Sequence, residues 1–478
     1  MSTRKNAFYN IAYRVFSIFL PLVTAPYLSR VVGKAGVGLY SYAWSVSEIF
    51  VIIGMLGLAD YGVRAIAKAR DDRARLDRTF SGIFIMQLAV AFITLLVWLG
   101  YVAFAAGEEK TIALHLTWMS VSCMVNLDWC LQGLGEFRSI ALRNTAVKLL
   151  AAGSVFLFVR SADDLWIYGL VWSLATLAGC LLCWPSLKGR VSFVRVPLKE
   201  AFRHFLPCSV LLISVLAVRV YRTMDKIMVG ALAGMAENGL YENAEKIIYC
   251  LSGFISAIGT VLMPKVSHMQ EKGETEAIRR HIDVSMQLMM CMTAAMAFGV
   301  MAVAPEFSVL FYGDAFAASG TLMRFLAITL VMIGFANVVR TQWILPQARD
   351  GIVIRCVTAG AAVNLAVNFL LIPRMGAMGA VIGTLAAELT VPAAQFVILR
   401  RELNYPRLIK HAAAYCSIGA VMALFVRLVM SMLSGHGWLT VAAGAVSGAA
   451  VFGLLCLAYW RVTRNGDLMG LIRHRKRV

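Results

Sequence analysis

Long apolar runs alternate with short polar segments from one end of the chain to the other. The runs lie at 9–32, 38–60, 80–104, 112–131, 144–160, 165–187, 206–232, 239–263, 284–304, 320–344, 355–373, 377–399, 411–432 and 438–460. Their ends are set to within about 2–4 residues. Each is close to the roughly 20 residues that a helix needs to cross a bilayer. None shows the short alternating segments of a membrane barrel, and lipid leaves helices as the other spanning structure. The pattern predicts an all-α polytopic membrane protein of about 14 transmembrane helices.

One stretch recurs. Gly33-Lys-Ala-Gly-Val-Gly38-Leu39-Tyr40-Ser-Tyr-Ala43 is matched by Gly234-Met-Ala-Glu-Asn-Gly239-Leu240-Tyr241-Glu-Asn-Ala244, 201 residues later. Both copies fall at the turn between the first and second spans of a six-span unit. This predicts two parallel pseudo-symmetric six-helix lobes, an architecture of transporters. The expected division is an N-terminal lobe 1–187, a linker 188–199, a C-terminal lobe 200–400, two added spans within 401–461, and a basic tail 462–478. A shared helix-turn-helix packing motif would explain the glycines but not the register of whole lobes. Gly379-Ala-Val-Ile-Gly383 and Gly444-Ala-Val-Ser-Gly448 offer small faces for close helix packing. Pro21, Pro26 and Pro392 interrupt their spans and suit bending helices.

Composition agrees with the pattern. Hydrophobic residues make up 60% of 478 and charged residues 15%, against about 25% charged in soluble domains. There is too little polar residue to cover soluble domains, and disorder, collagen and coiled coil are excluded as well. The net charge of +19 matters through its placement. The basic set of loops (the N-terminus, 61–79, 132–148, 187–205, 264–282, 345–355, 400–410 and the tail) holds 32 Lys and Arg, and the alternate set holds four, Lys34, Lys110, Arg160 and Arg374. The positive-inside rule then puts both termini in the cytoplasm. Arg473, Arg475, Lys476 and Arg477 meet anionic lipid headgroups on this reading, and no nucleic-acid partner is expected.

Candidate chemistry is sparse. All ten cysteines fall in apolar runs and read as small core residues. Cys180 and Cys183 form a C-x-x-C with no second pair or nearby histidine, so no metal site is expected. Arg4 and Lys5 precede an apolar run too long for a signal peptide. Asp71 and Asp72 lie among arginines in a solvated loop. Asp163 and Asp164 start a helix, where carboxylates favour the dipole. No catalytic triad or P-loop is present. The loops reach only about 20 residues, short for a membrane glycan polymerase or ligase. The expectation is a non-enzyme without a catalytic residue.

Nine basic residues remain in or at the ends of spans, where a central Lys or Arg costs about 2.5–3.5 kcal/mol. Arg30 and Arg427 are near enough to ends to snorkel. Arg219, Arg222 and Lys226 recur at i, i+3 and i+7 on one face, with Asp225 beside them. Glu242 and Lys246 are at i,i+4, with Glu245 close by. Arg14, Arg324 and Arg340 complete the candidates for a cationic, water-filled cavity. Arginine's fork suits phosphate oxygens. The alternative is a buried ion-pair network joining two spans.

The chain also resembles a family, across most of 1–400. The resemblance is carried by Pro26-Tyr-Leu-Ser-Arg30 with Gly33 to Tyr40, by Asn126-Leu-Asp128-Trp129 with Gln132-Gly133, and by Arg143-Asn144 with Lys148. Asp225-Lys-Ile-Met-Val-Gly230, Tyr241-Glu-Asn-Ala-Glu-Lys246 and Leu262-Met-Pro264 extend it. The tract from Asp128 to Lys148 is the most specific. In order and spacing these residues resemble the polysaccharide-unit flippases (Wzx-type, for O-antigen and capsule) of the multidrug/oligosaccharidyl-lipid/polysaccharide exporter superfamily. The resemblance implies an undecaprenyl-diphosphate oligosaccharide moved to the outer leaflet of the bacterial inner membrane. Its diphosphate would sit near the span 7 cations, its glycan between the lobes and its polyprenyl tail in lipid. It further implies membrane lipids and other polysaccharide assembly proteins as partners, and no cofactor. A proton, a sodium ion and the membrane potential stay open as the driving force. Many family members have twelve spans; fourteen is the number in the lipid II flippase branch. A lipid II flippase, a cation-coupled multidrug exporter and a membrane glycan polymerase or ligase are the alternatives.

Overall fold

The computed structural model describes residues 3–433 and 437–463. The side chains of 3–15, 18, 214, 215, 217, 218, 220–222 and 261 lie outside the description, as does the basic tail from 464. Among the described residues every regular element is a helix. The chain divides into two compact units after Gly239. The first holds α1 (Thr3–Met55), α2 (Leu58–Ala69), α3 (Arg73–Phe104), α4 (Lys110–Val125), α5 (Asp128–Gly133), α6 (Phe137–Phe158), α7 (Leu165–Leu181), α8 (Trp184–Leu187), α9 (Leu198–Ala201) and α10 (Phe205–Ala233). α11 (Met235–Glu271) starts at its end. The second unit continues with α12 (Thr275–Tyr312), α13 (Ala317–Leu326), α14 (Thr329–Val339), α15 (Asp350–Met375), α16 (Ala377–Leu399), α17 (Tyr405–Met432) and α18 (Trp438–Val462).

Eleven segments of the described residues are long and apolar enough to cross a membrane, so this is a multi-pass membrane protein. One of them, Phe19–Ala69, runs through 51 residues and covers the later part of the first expected span and all of the second. α4, at 16 residues, is not among the eleven. Neither is α10, whose 29 residues include Arg219, Arg222, Asp225 and Lys226.

Several boundaries differ from the pattern for local reasons. The first two runs form one continuous element broken at Gly33, whose φ of 66° an L side chain rarely adopts. The run 112–131 stops at Asn126, which turns extended. Gln87 Nε2 donates to the carbonyls of Cys123 (2.6 Å) and Asn126 (2.8 Å). The α4 end thus finds donors from a neighbouring helix. The segment 132–148 is not a loop over most of its length, because α6 begins at Phe137. The run 320–344 is α13, α14 and a π-helical turn, Arg340–Ile344.

In the first unit α1 packs along α3, α4, α6 and α10. The expected lobe boundary followed the repeat; by compactness α10 belongs with α1. In the second unit α12 is central and contacts α13, α14, α17 and α18, so the two C-terminal spans pack on it. The Gly379/Gly383 and Gly444/Gly448 faces lie in the α15–α16 and α17–α18 contacts: a Cβ on Gly383 would meet Asn368 Oδ1 at 2.0 Å, and one on Gly448 would meet Val426 Cγ2 at 2.6 Å.

Loops grouped by charge along the sequence meet in space within each unit. In the first, Arg73 donates to the carbonyls of Gly189 (3.0 Å) and Arg190 (2.6 Å), and Arg78 pairs with Glu200. Arg190 pairs with Glu136. These contacts join 61–79, 132–148 and 187–205. In the second, Arg349 pairs with Glu402 and Arg407 with Asp283.

Candidate functional site

The cations of α10 come first. Their helix packs on α1 and α2, and Gly230 lies against the Tyr42 ring of α1, 2.5 Å from Tyr42 Cδ2 to a Cβ built on the glycine. Arg219 is half-exposed and donates from its guanidinium to Glu48 Oε1 at 3.2 Å. Asp225 is buried and Lys226 half-buried one residue on. The side chain of Arg222 falls outside the described residues, and so does that of Arg14 on α1. The expected single face therefore carries a counter-charge that the spacing did not show. Glu48 stands 171 residues from Arg219, and only packing brings it there. Its signal was an acid in the middle of the run 38–60.

In the second unit Glu242 and Lys246 form the expected i,i+4 pair at 3.2 Å, with both side chains largely buried. Glu245, half-buried, is on the same helix. Arg324 on α13 donates from Nε to the carbonyl of Met301 on α12 at 3.1 Å. Arg340 opens the π-helical turn at the end of α14; such turns occur often at functional sites. Arg427 pairs with Glu306 at 2.7 Å.

The family tract is a separate constellation in the first unit. Arg143 on α6 meets Asp128 on α5 at 2.6 Å, with the guanidinium side chain 9% exposed. It also donates to Asn144 Oδ1 at 3.0 Å and to the Cys183 sulfur. Cys183 in turn lies 3.0 Å from Asp128 Oδ1. Trp129 is fully buried and donates from Nε1 to Gln87 Oε1 at 2.8 Å. Gly133 packs on α2: a Cβ there would stand 2.7 Å from that of Ile66. Gln132 is half-buried beside it. Most of the tract thus folds and fastens α5 onto α2 and α3, and α6 onto α5. Lys148 is different. The sequence placed it where the basic segment 132–148 overlaps the apolar run 144–160; it is inside α6 and donates to Ser17 Oγ of α1 at 3.1 Å.

A cavity of about 370 Å³ opens among Arg70, Asp71, Arg73, Leu76, Leu134 and Arg190. Each arginine there faces a carboxylate: Arg70 meets Asp71 at 3.6 Å, Arg73 meets Asp77 at 3.1 Å, and Arg190 meets Glu136. Its charge is balanced, so it offers an anion little. Outside the spans, hydrogen bonds from Arg78 hold the Glu200 carboxyl below the ordinary glutamate value. Those from Arg349, and then Trp343, do the same for Glu402. Among the described residues no group of three or more His, Cys, Asp or Glu could hold a metal. All ten cysteines are free thiols, eight of them buried.

The fold is that of a helical membrane transporter. Lipid II flippase MurJ, in an inward closed conformation, superposes with a TM-score of 0.74 over 96% of this chain and 100% of its own, at 12% identity. An inward-facing multidrug resistance MATE family transporter of the MOP superfamily superposes with a TM-score of 0.58 over 86% of this chain and 96% of its own, at 16% identity. The family model for polysaccharide biosynthesis proteins matches residues 3–270, more than half of the chain, and the chain belongs to that family. A putative O-antigen transporter of Shigella dysenteriae is 23% identical over 389 residues, 78% of this chain and 93% of the relative. That of Escherichia coli K12 is 24% identical over 273 residues; the match covers 56% of this chain and only 65% of the relative's length. A probable low-salt glycan biosynthesis flippase of Haloferax volcanii is 21% identical over 378 residues, 77% of this chain and 78% of its own.

Proposed function

We propose that this protein is a flippase that moves undecaprenyl-diphosphate-linked oligosaccharide repeat units from the inner to the outer leaflet of a bacterial cytoplasmic membrane. The observation that carries this reading is the family match, joined to relatives named for O-antigen and glycan transport. Fourteen spans in two lobes with both termini cytoplasmic complete it, supported by the loop charges and by the meeting of like-charged loop sets within each unit. The lobes would rock in alternating access. The α10 cations would hold the diphosphate, and the protein makes and breaks no bond. An inside-negative potential would favour outward movement of the head group by about 2.3 kcal/mol per charge per 100 mV; a proton or a sodium ion is the other source of drive.

A lipid II flippase is the second reading, favoured by the superposition on MurJ over nearly the whole chain. Fold alone supports it, whereas sequence relatives support the first. A multidrug exporter would favour acidic rather than basic cavity residues. The deciding experiment reconstitutes the purified protein in vesicles and compares flipping of a lipid-linked oligosaccharide repeat unit with that of lipid II. Preference for the repeat unit is expected; preference for lipid II would replace the first reading by the second. Reporter fusions check the topology: a signal of the opposite, non-cytoplasmic side at Val478 would refute fourteen spans.

A further inference from the structure

The segment between α8 and α10 runs across the start of α3. Arg73 donates to the carbonyls of Gly189 and Arg190, and Asp77 Oδ1 accepts from the Ser192 backbone N–H at 2.7 Å. Ser81 Oγ accepts from the Val194 N–H at 2.9 Å, and the Phe193 ring lies 5.3 Å from that of Phe84. Ser81 and Phe84 stand in the first turns of the apolar run 80–104. These contacts put the segment at the edge of the hydrocarbon layer.

From Leu198 the chain is helical without a break, through α9, a 3₁₀ turn (Phe202–His204) and α10. One side of this helix is committed to the protein. Glu200 accepts from Arg78 at 2.6 Å, and His204 Nδ1 lies 2.6 Å from the Tyr61 hydroxyl. Ala201 is fully buried, and a Cβ on Gly82 would stand 3.7 Å from its Cα. The other side is bare. Leu198, Phe202, Phe205 and Leu206 recur at i, i+4, i+7 and i+8, which is one helical face. All four are exposed, Leu198 to 67% and Leu206 to 73%. Lys199 and Arg203 border this face and are exposed as well. Among the described residues neither of these two side chains makes a hydrogen bond or an ion pair. Glu200, the acid of the same turns, is taken by Arg78, so the strip presents positive charge.

An apolar face bordered by cations at the boundary of the spans has the make-up of a helix that lies in a membrane interface. We infer that the strip 198–206 docks on anionic phospholipid: its four apolar side chains enter the bilayer boundary, and Lys199 and Arg203 meet the lipid phosphates. Long basic side chains suit this, since their stems cover apolar surface while their heads stay at the polar layer. The inference goes beyond the flippase reading and does not depend on it, because it needs only insertion in a membrane.

The test is hydrogen exchange of the full chain in vesicles of phosphatidylcholine, with and without phosphatidylglycerol, read on peptides that cover 193–210. Phosphatidylglycerol should slow exchange of this segment in the wild type. Raising salt from about 0.1 M to about 1 M should abolish the difference, because the screening length falls to about 3 Å. A basic residue at an anionic surface is worth about fivefold in association. Lys199→Gln and Arg203→Gln should therefore each raise the phosphatidylglycerol content needed for half of the effect by about that factor. Lys199→Arg with Arg203→Lys keeps both charges and should behave as the wild type. Leu198→Ser with Phe202→Ser removes apolar contact and should speed exchange in both lipids. If the serine variant does not accumulate, the glutamine variants decide, since their positions are exposed. Wild-type exchange that ignores phosphatidylglycerol overturns the inference. So does a lipid effect that persists unchanged when Lys199→Gln and Arg203→Gln are combined. Flipping is not part of the readout, so failure here leaves the flippase reading standing.

Discussion

Gly38 and Gly239 pack on each other's helices at reciprocal points. A Cβ on Gly38 would stand 1.7 Å from the Met235 carbonyl oxygen, and one on Gly239 would stand 1.9 Å from that of Lys34. Lys34 and Met235 are matching positions of the repeated motif, as are Gly38 and Gly239. Each glycine follows by five residues another with positive φ, 66° at Gly33 and 93° at Gly234. The buried Asn238 donates from Nδ2 to the Gly38 carbonyl at 2.8 Å and fastens the crossing.

Gly38→Ala and Gly239→Ala should each destabilise the protein. The added methyl meets backbone, which cannot turn aside as a side chain can, and overpacking of this kind costs about 1–3 kcal/mol. Because both substitutions separate the same two helices, the double variant should lose less than the sum of the two. Thermal melting of the three variants in detergent checks this; strict additivity would show that the two glycines do not share one contact.

Asp128 and Arg143 should behave as a structural pair. Arg143→Ala leaves a carboxylate and a thiol without their guanidinium, and breaking a buried pair costs about 3–5 kcal/mol. Membrane abundance of Arg143→Ala and of Asp128→Ala should therefore fall together. Quantified immunoblots of membrane fractions make the measurement. Normal abundance with lost export would instead assign the pair to transport.

The α10 cations should show the reverse profile. Arg222→Ala should abolish surface-polysaccharide export with near-normal abundance, and Arg222→Lys should rescue in part, since it keeps charge and loses the fork. For Arg219 the Glu48 partner supplies a control. If their pairing is structural, Arg219→Gln with Glu48→Gln should export like the wild type. Complementation scored beside abundance separates these results, and normal export by a triple neutral variant at 219, 222 and 226 would end the cationic-cavity reading.

The Glu402–Arg349 pair should make stability depend on acid pH. Glu402 is held below the ordinary glutamate value by hydrogen bonds from Arg349, so the folded chain binds this proton more weakly than the unfolded chain. Its contribution is whole above the unfolded value, about 4.3, and is lost as the pH falls through the lower folded value. The pair is part-exposed, so about 1 kcal/mol or less is expected. Arg349→Met should melt below the wild type at pH 7, with the gap closing towards pH 3. A gap independent of pH would rule out the ionic origin.

Much of the organisation was legible along the chain. Helical spans follow from apolar length, since lipid forces each backbone polar group to be satisfied within its own segment. The grouping of loops by charge follows from where Lys and Arg fall, and the repeat from identical spacing at two sites. These are local properties, and Glu242 with Lys246 is a local pair of the same kind. What the sequence could not reveal were partners distant in the chain. Glu48 for Arg219, Gln87 for the broken end of α4, Cys183 for Arg143 and Ser17 for Lys148 are each chosen by helix packing, which composition and periodicity do not encode. The same holds for Lys148 itself. By sequence it falls where the basic segment 132–148 overlaps the apolar run 144–160. The contact of α6 with α1 brings a hydroxyl within 3.1 Å of this residue in the middle of a span.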